Sequence, residues 1–478
     1  MPSATPIYSA LLKYAEEKNI RLHMPGHIGR GIPASEFNRI ALFDVTEVPG
    51  LDDLHLPRQE IEAARQFLAR AFGAAESFFL VNGATSGIQA LFMGLCSDQE
   101  KVLVPRNAHR SFYAGMVLSG AMPVYIPVEA ENRLGVAFAV KVADIEQKLA
   151  TYPGLKVVFI TSPSYYGTTC AVSEIASTTK ALNKLLVVDE AHGAHFPFHK
   201  MYPASALQGG ADAAVNGLHK TLPVLNQGAC LHIADTLLGN ERLRQACSLM
   251  TTTSPSYPIM ASIDLARCFM EERGQELLGQ AREYAMVFRE KVNKIKGFWC
   301  PGNELRTISG VQDFDPLKVL IFVQGTGLSG QTIADILRQK YHIQVELAEN
   351  NIILAMFSMF HKRDDWQRFY NALKDIARFY SAAGKAQVPV AMPPEPQVIL
   401  SPRQAFLAGK KRVLLKESLN RVAGEMIAPY PPGIPCVLPG ELITPQVWEY
   451  LNYLGQIKVN LHGPEDPTLK YITVLEES

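Results

Sequence analysis

The chain has only seven cysteines, Cys96, Cys170, Cys230, Cys247, Cys268, Cys300 and Cys436. Their number is odd and no two form a CxxC pair. That pattern argues against a disulfide framework, and buried free thiols in a reducing cytoplasm are the simplest account. Excess charge is also missing. Lys plus Arg total 46 and Asp plus Glu total 46, so the net charge is zero and no long run of one sign occurs. Nothing here favours nucleic acid or a charged membrane surface as a partner. No apolar stretch approaches the length needed to span a membrane, and the first residues lack the basic-then-apolar pattern of a signal peptide. Neither an HExxH nor a Gly-Lys-Ser/Thr phosphate loop is found. A cytoplasmic protein acting on a small molecule is the expectation.

The chain has 478 residues, of which 47% are apolar, enough for two or three domains and a large core. Short β-like runs alternate with helical patterns between about residues 60 and 270. The predicted strands are Ser77–Val81, Lys101–Pro105, Met122–Pro127, Lys156–Thr161, Leu185–Asp189, Ala213–Asn216 and Gly228–Ile233. Helical patterns at Ile61–Phe72, Ser86–Cys96 and Val142–Leu149 separate several of them. This alternation predicts an α/β domain with a mainly parallel sheet, whose ligands bind beyond the carboxyl ends of the strands.

A long helix, about Gly274 to Ile295, leads out of that domain. A smaller α+β unit follows, with strands Lys318–Val323, Val345–Ala348 and Ile352–Phe357 and helices Gly330–Lys340 and Arg363–Tyr380. Gln387–Pro396 reads as a linker. The C-terminal unit is predicted to carry a helix near Ser418–Glu425 and Pro/Gly turns at Tyr430–Pro435 and Leu438–Glu441. The expected division is 1–290, 291–386 and 387–478.

Three features converge on one chemistry. Lys220 lies in Asn216-Gly217-Leu218-His219-Lys220-Thr221, just after a strand in a mostly uncharged neighbourhood. Lysines in desolvated surroundings form Schiff bases with carbonyl groups. Asp189 ends a buried strand 31 positions earlier. A carboxylate there can keep the ring nitrogen of pyridoxal phosphate (PLP) protonated, so that the ring accepts electrons. Each residue alone has a plain reading, a solvated lysine and a helix cap. The third feature is Asn82-Gly83-Ala84-Thr85-Ser86-Gly87, which follows a strand and opens a helix. Glycines, free N–H groups, the helix dipole and two hydroxyls suit a phosphate there. His109, just past a strand, is placed to stack on a flat ring or simply to face solvent. His23, His27, His192, His195 and His199 invite a metal reading. That reading leaves Lys220 and the phosphate turn without a role, so no metal site is expected.

With those residues in view, the chain resembles the ornithine/lysine/arginine decarboxylases, fold-type I PLP enzymes with an aspartate aminotransferase-like fold. The likeness runs from His23-Met24-Pro25-Gly26-His27 through Asp44–Glu47, Gly50–His55, Gly83–Gly87, Arg106–Ser111, Asp189–His192, His219-Lys220 and Thr252–Tyr257. It ends in the late Pro-Pro-Gly-Ile-Pro and Pro-Gly-Glu. It implies a mainly parallel seven-stranded sheet, a smaller α+β domain and a family-type C-terminal domain. It also implies that Lys220 holds PLP covalently, Asp189 pairs with the ring nitrogen, and His109 and Ala191 flank the ring. Gly83, Ala84, Thr85, Ser86 and His219 would hold the phosphate, and His192, Thr252 and Ser254 would join the cofactor site. Thr252–Tyr257 would reach a partner subunit in a homodimer. The chain looks like the compact form of the family without an N-terminal wing domain. Gly217 stands where many relatives carry a phosphate-binding serine, and Arg110 stands where lysine is usual.

The resemblance implies that a basic amino acid, arginine ahead of lysine and ornithine, loses CO₂. His219 or Lys220 would return the proton. The substrate's distal cation needs a carboxylate, and the candidates are Glu47, Asp52, Asp53 and Glu441, each of which can instead cap or solvate a turn. A PLP aminotransferase and a catalytically drifted regulatory protein on the same fold are the alternatives.

Overall fold

The structure is a computed structural model that describes all residues except 1–3, 22–23, 26, 31–37, 132–135, 381–396, 431–434, 458–459 and 477–478. The predicted linker Gln387–Pro396 lies outside the described residues. The chain divides into two compact units, Met1–Leu95 with Leu185–Glu276, and Cys96–Lys184 with Leu277–Ser478.

All seven predicted strands form. They are β1 (Glu76–Leu80), β2 (Lys101–Pro105), β3 (Met122–Ile126), β4 (Val157–Thr161), β5 (Leu185–Asp189), β6 (Ala213–Asn216) and β7 (Ala229–Ile233). In the first unit the strand order is β1-β7-β6-β5, and in the second it is β4-β2-β3. β5 runs parallel to β6, and β2 parallel to both β3 and β4. Only β7 runs against its neighbours, β1 and β6. The sheet is therefore mainly parallel, and its strands carry continuous apolar runs because both faces are covered. In β5 and β6, Leu186, Val187, Val188, Ala213 and Val215 are all buried.

Helix α1 (Glu60–Phe72) turns Ile61, Ala64, Leu68 and Phe72 inward and ends on Gly73, whose φ of 68° is the left-handed conformation glycine adopts without strain. Helix α2 (Gly83–Leu95) follows β1 directly. The long helix begins at Tyr257, well before the expected Gly274, and runs 36 residues to Val292. Gly274 is an interior position, not a start. A Cβ there would stand 3.0 Å from Phe198 Cβ, so the glycine permits close packing.

In the second unit a three-stranded antiparallel sheet, Lys318–Phe322, Ile352–Met356 and Leu347–Ala348, carries helices Gly330–Tyr341 and Arg363–Phe379, as predicted. The predicted helix at Ser418–Glu425 does not form. The chain makes one 3-10 turn at Leu415–Glu417, and Val422 and Ala423 then bridge to Leu442 and Val474. Asn420 takes a φ of 62°, and a Cβ on Gly424 would stand 3.0 Å from the Val474 carbonyl carbon. Both features favour an extended, tightly packed path over a helix. Ala423, Ile427, Cys436, Val437, Ile443, Leu451 and Val474 form the local core. Helix Pro445–Gln456 lies over it, opened by Thr444 as N-cap.

Candidate active site

Several of the sequence-predicted residues gather in the first unit at the ends of β5 and β6. Asp189 closes β5, is 5% exposed and accepts a hydrogen bond at Oδ1 from Ala191 N (3.1 Å). Its register partner on β6 is Val215. One short helical turn, Leu218–Thr221, then carries His219 and Lys220. Lys220 Nζ lies 3.2 Å from His192 Nε2. The turns after β5 and β6 are thus in direct side-chain contact.

Gly217 is pinned between them. A Cβ there would stand 2.9 Å from Ala191 O and 3.1 Å from Lys220 Cδ. The glycine is required by packing, whatever a serine contributes in relatives. Gly217→Ser is therefore expected to lower PLP affinity, because the backbone at Ala191 must move to admit it; fluorescence titration of PLP measures this. His219 is half-buried, its Nδ1 is 3.0 Å from Gly228 O, and burial pushes its pKa below the ordinary histidine value.

The Asn82–Gly87 turn opens α2 as predicted. Gly83 has a φ of 79°, and a Cβ there would meet nothing within 4 Å, so open space lies above the helix N-terminus. Ala84 is half-buried, Thr85 is exposed, and Ser86 is buried with its hydroxyl donating to Gly83 O (2.8 Å). Thr252 and Ser254 are exposed beside this turn, and Thr252 N reaches Asn82 Oδ1 at 3.5 Å. His55 joins the same group. Its ring nitrogens lie 3.0 Å from Ser248 Oγ and 2.9 Å from Thr252 O. Tyr257 is fully buried and donates its hydroxyl to Asp52 O within its own chain.

The candidate substrate carboxylates separate by what they already hold. Asp52 is 4% exposed and accepts from the backbone N–H groups of Asp53, Arg58, Gln59 and Ile61, so it caps the entry to α1. Asp53 accepts from His55 N at 2.8 Å, and exposed Glu47 accepts from Thr46 Oγ1 at 2.6 Å. Burial, with the negative charges of Glu47, Asp53, Glu60 and Asp52, raises the Tyr257 phenol above its ordinary value.

Glu441, in the second unit, is 1% exposed and bound on both oxygens by Arg106, Nη1 to Oε1 at 2.5 Å and Nη2 to Oε2 at 2.9 Å. Leu438 N donates to Oε2 as well, Arg106 also reaches Cys436 O at 3.1 Å, and its guanidinium lies over the Tyr125 ring. This carboxylate holds the chain just after β2. His109, three residues beyond Arg106, is the N-cap of helix α3 (Arg110–Ser119), accepts from Ser111 N, and is exposed.

Sequence reasoning gave no role to Arg106, Glu190, Asn216, Tyr166 or Glu349. Tyr166, after β4, donates to Glu349 Oε1 at 2.8 Å, and burial pushes that carboxyl up to about 7. None of these carries a local signal, because each partner is far away in sequence. Of the histidines, His23 lies outside the described residues, and His27 pairs with Asp44 at 3.1 Å. Among the described residues no group of three or more His, Cys, Asp or Glu is placed to hold a metal.

A mainly parallel α/β sheet, with a lysine turn and a carboxylate at adjacent strand ends and a glycine turn opening a helix, defines a fold-type I PLP-type protein. The buried Asp189, the amine of Lys220 and the open space above Gly83 fit a flat cofactor with a basic ring nitrogen, an aldehyde and a phosphate. The family model "Orn/Lys/Arg decarboxylase, major domain" matches residues 5–365, and "Orn/Lys/Arg decarboxylase, C-terminal domain" matches 387–468. The chain belongs to the Orn/Lys/Arg decarboxylase family, as its motifs led one to expect, and is a decarboxylase of a basic amino acid. It is 34% identical over 480 residues to an arginine decarboxylase of Bacillus subtilis, covering 99% of this chain and 98% of the other. Its fold is similar to that of the lysine decarboxylase LdcF of Francisella novicida (TM-score 0.86, 22% identity, 99% of this chain and 81% of that one). It is more distantly similar to a ureidoglycine-glyoxylate aminotransferase of Bacillus subtilis (TM-score 0.54, 14% identity, 69% of this chain and 87% of that one). Family and fold together imply PLP.

Proposed function

We propose that this protein decarboxylates arginine with PLP held on Lys220. The single observation that carries the reading is the Lys220–His192 contact beside buried Asp189, in a chain 34% identical to an arginine decarboxylase over its full length. Bound there, PLP supplies an electron sink for the pair left on Cα when CO₂ departs. Asp189 would hold a proton at the ring nitrogen, the helix N-terminus at Gly83–Ser86 and the His219 side chain would take the phosphate, and the family resemblance implies that His109 and Ala191 would flank the ring. Lys220, with His219 next to it, returns a proton to Cα. Burial pushes the His219 imidazole below its ordinary value, toward the form that has no proton to give, which favours Lys220 as the donor.

Asp189→Asn tests the proton on the ring nitrogen. The variant should fold and still bind PLP, yet turn over about a hundredfold more slowly, the scale of one lost preorganised interaction. An unchanged kcat would make Asp189 structural.

The substrate's guanidinium is assigned to Glu47 or Asp53, since Asp52 and Glu441 are committed to internal bonds. Neutralising the true partner (Glu47→Gln or Asp53→Asn) should raise KM for arginine about ten- to a hundredfold with little change in PLP affinity. An unaltered KM in both variants would remove them. We infer that the active unit is a homodimer with exposed Thr252–Ser254 at the subunit contact, Tyr257 being buried within its own chain, and that the protein acts in the cytoplasm. No helix among the described residues is long and apolar enough to cross a membrane. Of the divisions 1–290, 291–386 and 387–478, the start of the last is supported by the second family model, which begins at 387.

A further inference from the structure

Two buried residues between Asp189 and Lys220 take no part in the reaction above. Glu190 is 2% exposed and Asn216 is fully buried. Glu190 Oε1 accepts from Ala206 N at 2.7 Å. Its Oε2 accepts from Asn216 Nδ2 at 3.1 Å, and the same amide also donates to Glu190 O at 3.1 Å. Glu190 N donates in turn to Val215 O at 3.0 Å. Asn216 Oδ1 is buried with no hydrogen-bond partner among the described residues. The residue after Glu190 is Ala191, whose carbonyl crowds Gly217, and the residue after Asn216 is Gly217 itself.

We propose that Glu190 and Asn216 form a positioning staple that fixes the turn bearing Asp189 and His192 against the turn bearing Lys220. The proposal rests on the reading that Asp189 and Lys220 hold the cofactor. The ladder between β5 and β6 ends at the pair Asp189↔Val215, so beyond it the strands no longer set the spacing of the two turns. The helical turn Leu218–Thr221 is only four residues long and cannot hold itself in place. Beyond the ladder, side-chain bonds must take over, and Glu190 supplies one oxygen to each of two donors. A side chain without oxygens in its place, as in Glu190→Leu, meets neither donor.

The site also has an electrostatic side. Burial pushes the Glu190 carboxyl up to about 8; the bonds from Asn216 and Ala206 oppose this, and the charge of Asp189 adds to it. The groups facing it are Asp189 on its own strand end, Asn216 on β6 and Cys230 on β7, whose own thiol is raised by burial and by Glu190. The Glu190 carboxyl thus favours its neutral form, and the neighbouring Asp189 opposes its ionisation. The folded value lies above the ordinary 4.5, so the stabilisation is full below that value and is lost as pH rises toward 8.

The test uses the full-length protein without and with added PLP. In the apoprotein, Glu190→Leu should raise deuterium uptake in the peptides around Ala206 and around 214–221 together, with the peptides of β2 and β3 unchanged. This measurement needs no cofactor, so it stands or falls separately from the PLP reading. Asn216→Asp places a second carboxyl against the first, and the pair then needs a shared proton. PLP capture by this variant should be near wild type at about pH 5.5 and at least about tenfold weaker than wild type above pH 8. If the variant unfolds at neutral pH, recovery of structure on acidification supports the staple, and failure to fold at any pH overturns it. Wild-type protection of both peptides in Glu190→Leu, or parallel pH profiles of PLP capture in Asn216→Asp and wild type, would also overturn it.

Discussion

Lys220→Ala protein is expected to show no near-visible absorbance band from covalently held PLP and to lose turnover on the order of 10⁴-fold or more, the scale seen when a covalent catalytic group is removed. The residue sits on a four-residue helical turn with its amine 3.2 Å from His192 Nε2, beside the buried carboxylate of Asp189. Removing the amine takes away both the attachment point and the group assigned to return the proton. The fold should survive, because Lys220 is half-buried and its stem packs at the edge of a turn. Free PLP should still associate weakly through Gly83–Ser86. Spectral titration with PLP, with and without borohydride reduction, separates covalent from non-covalent binding. A wild-type amount of PLP still attached after reduction and denaturation would place the attachment on another lysine.

Glu441→Gln is expected to lower stability by about 3 kcal/mol, the cost of leaving a buried charge without its partner. Arg106 would keep its contacts to Cys436 O and the Tyr125 ring but lose the charge that both its terminal nitrogens meet. The cost falls on the segment that leads into His109, so PLP affinity should fall along with the unfolding midpoint in urea. A rise in KM for arginine alone, with an unchanged midpoint, would return Glu441 to the substrate site.

What could be read from the sequence was what is local. The seven strands stood out because buried parallel strands are continuous apolar runs bounded by Gly, Pro and Asn. Asp189 stood out because it ends a strand, and Lys220 and the Gly83 turn because each lies shortly after one. The 418–425 segment does not form the expected helix because Val422 and Ala423 pair with Leu442 and Val474, partners far away in sequence that override local preference. Gly274 was expected to start the long helix, but it is an interior position where Phe198 needs the room. The carboxylates show the same limit. Asp52 and Glu441 sit in turns, as binding groups do, but the four backbone donors around one and Arg106 on the other are visible only in three dimensions. Glu190 and Asn216 sit inside motifs already quoted, yet their contact spans 26 positions and leaves no local pattern.

The most direct test of the central claim is a stoichiometric assay of PLP-reconstituted protein against arginine, lysine, ornithine and leucine, measuring CO₂ and amine together. The account predicts one CO₂ and one agmatine per arginine consumed, slower release from lysine and ornithine, and none from leucine, whose missing cation leaves the binding carboxylate unpaired. Equal rates with leucine and arginine, a keto acid in place of CO₂, or no CO₂ from any basic amino acid while PLP is bound would contradict it.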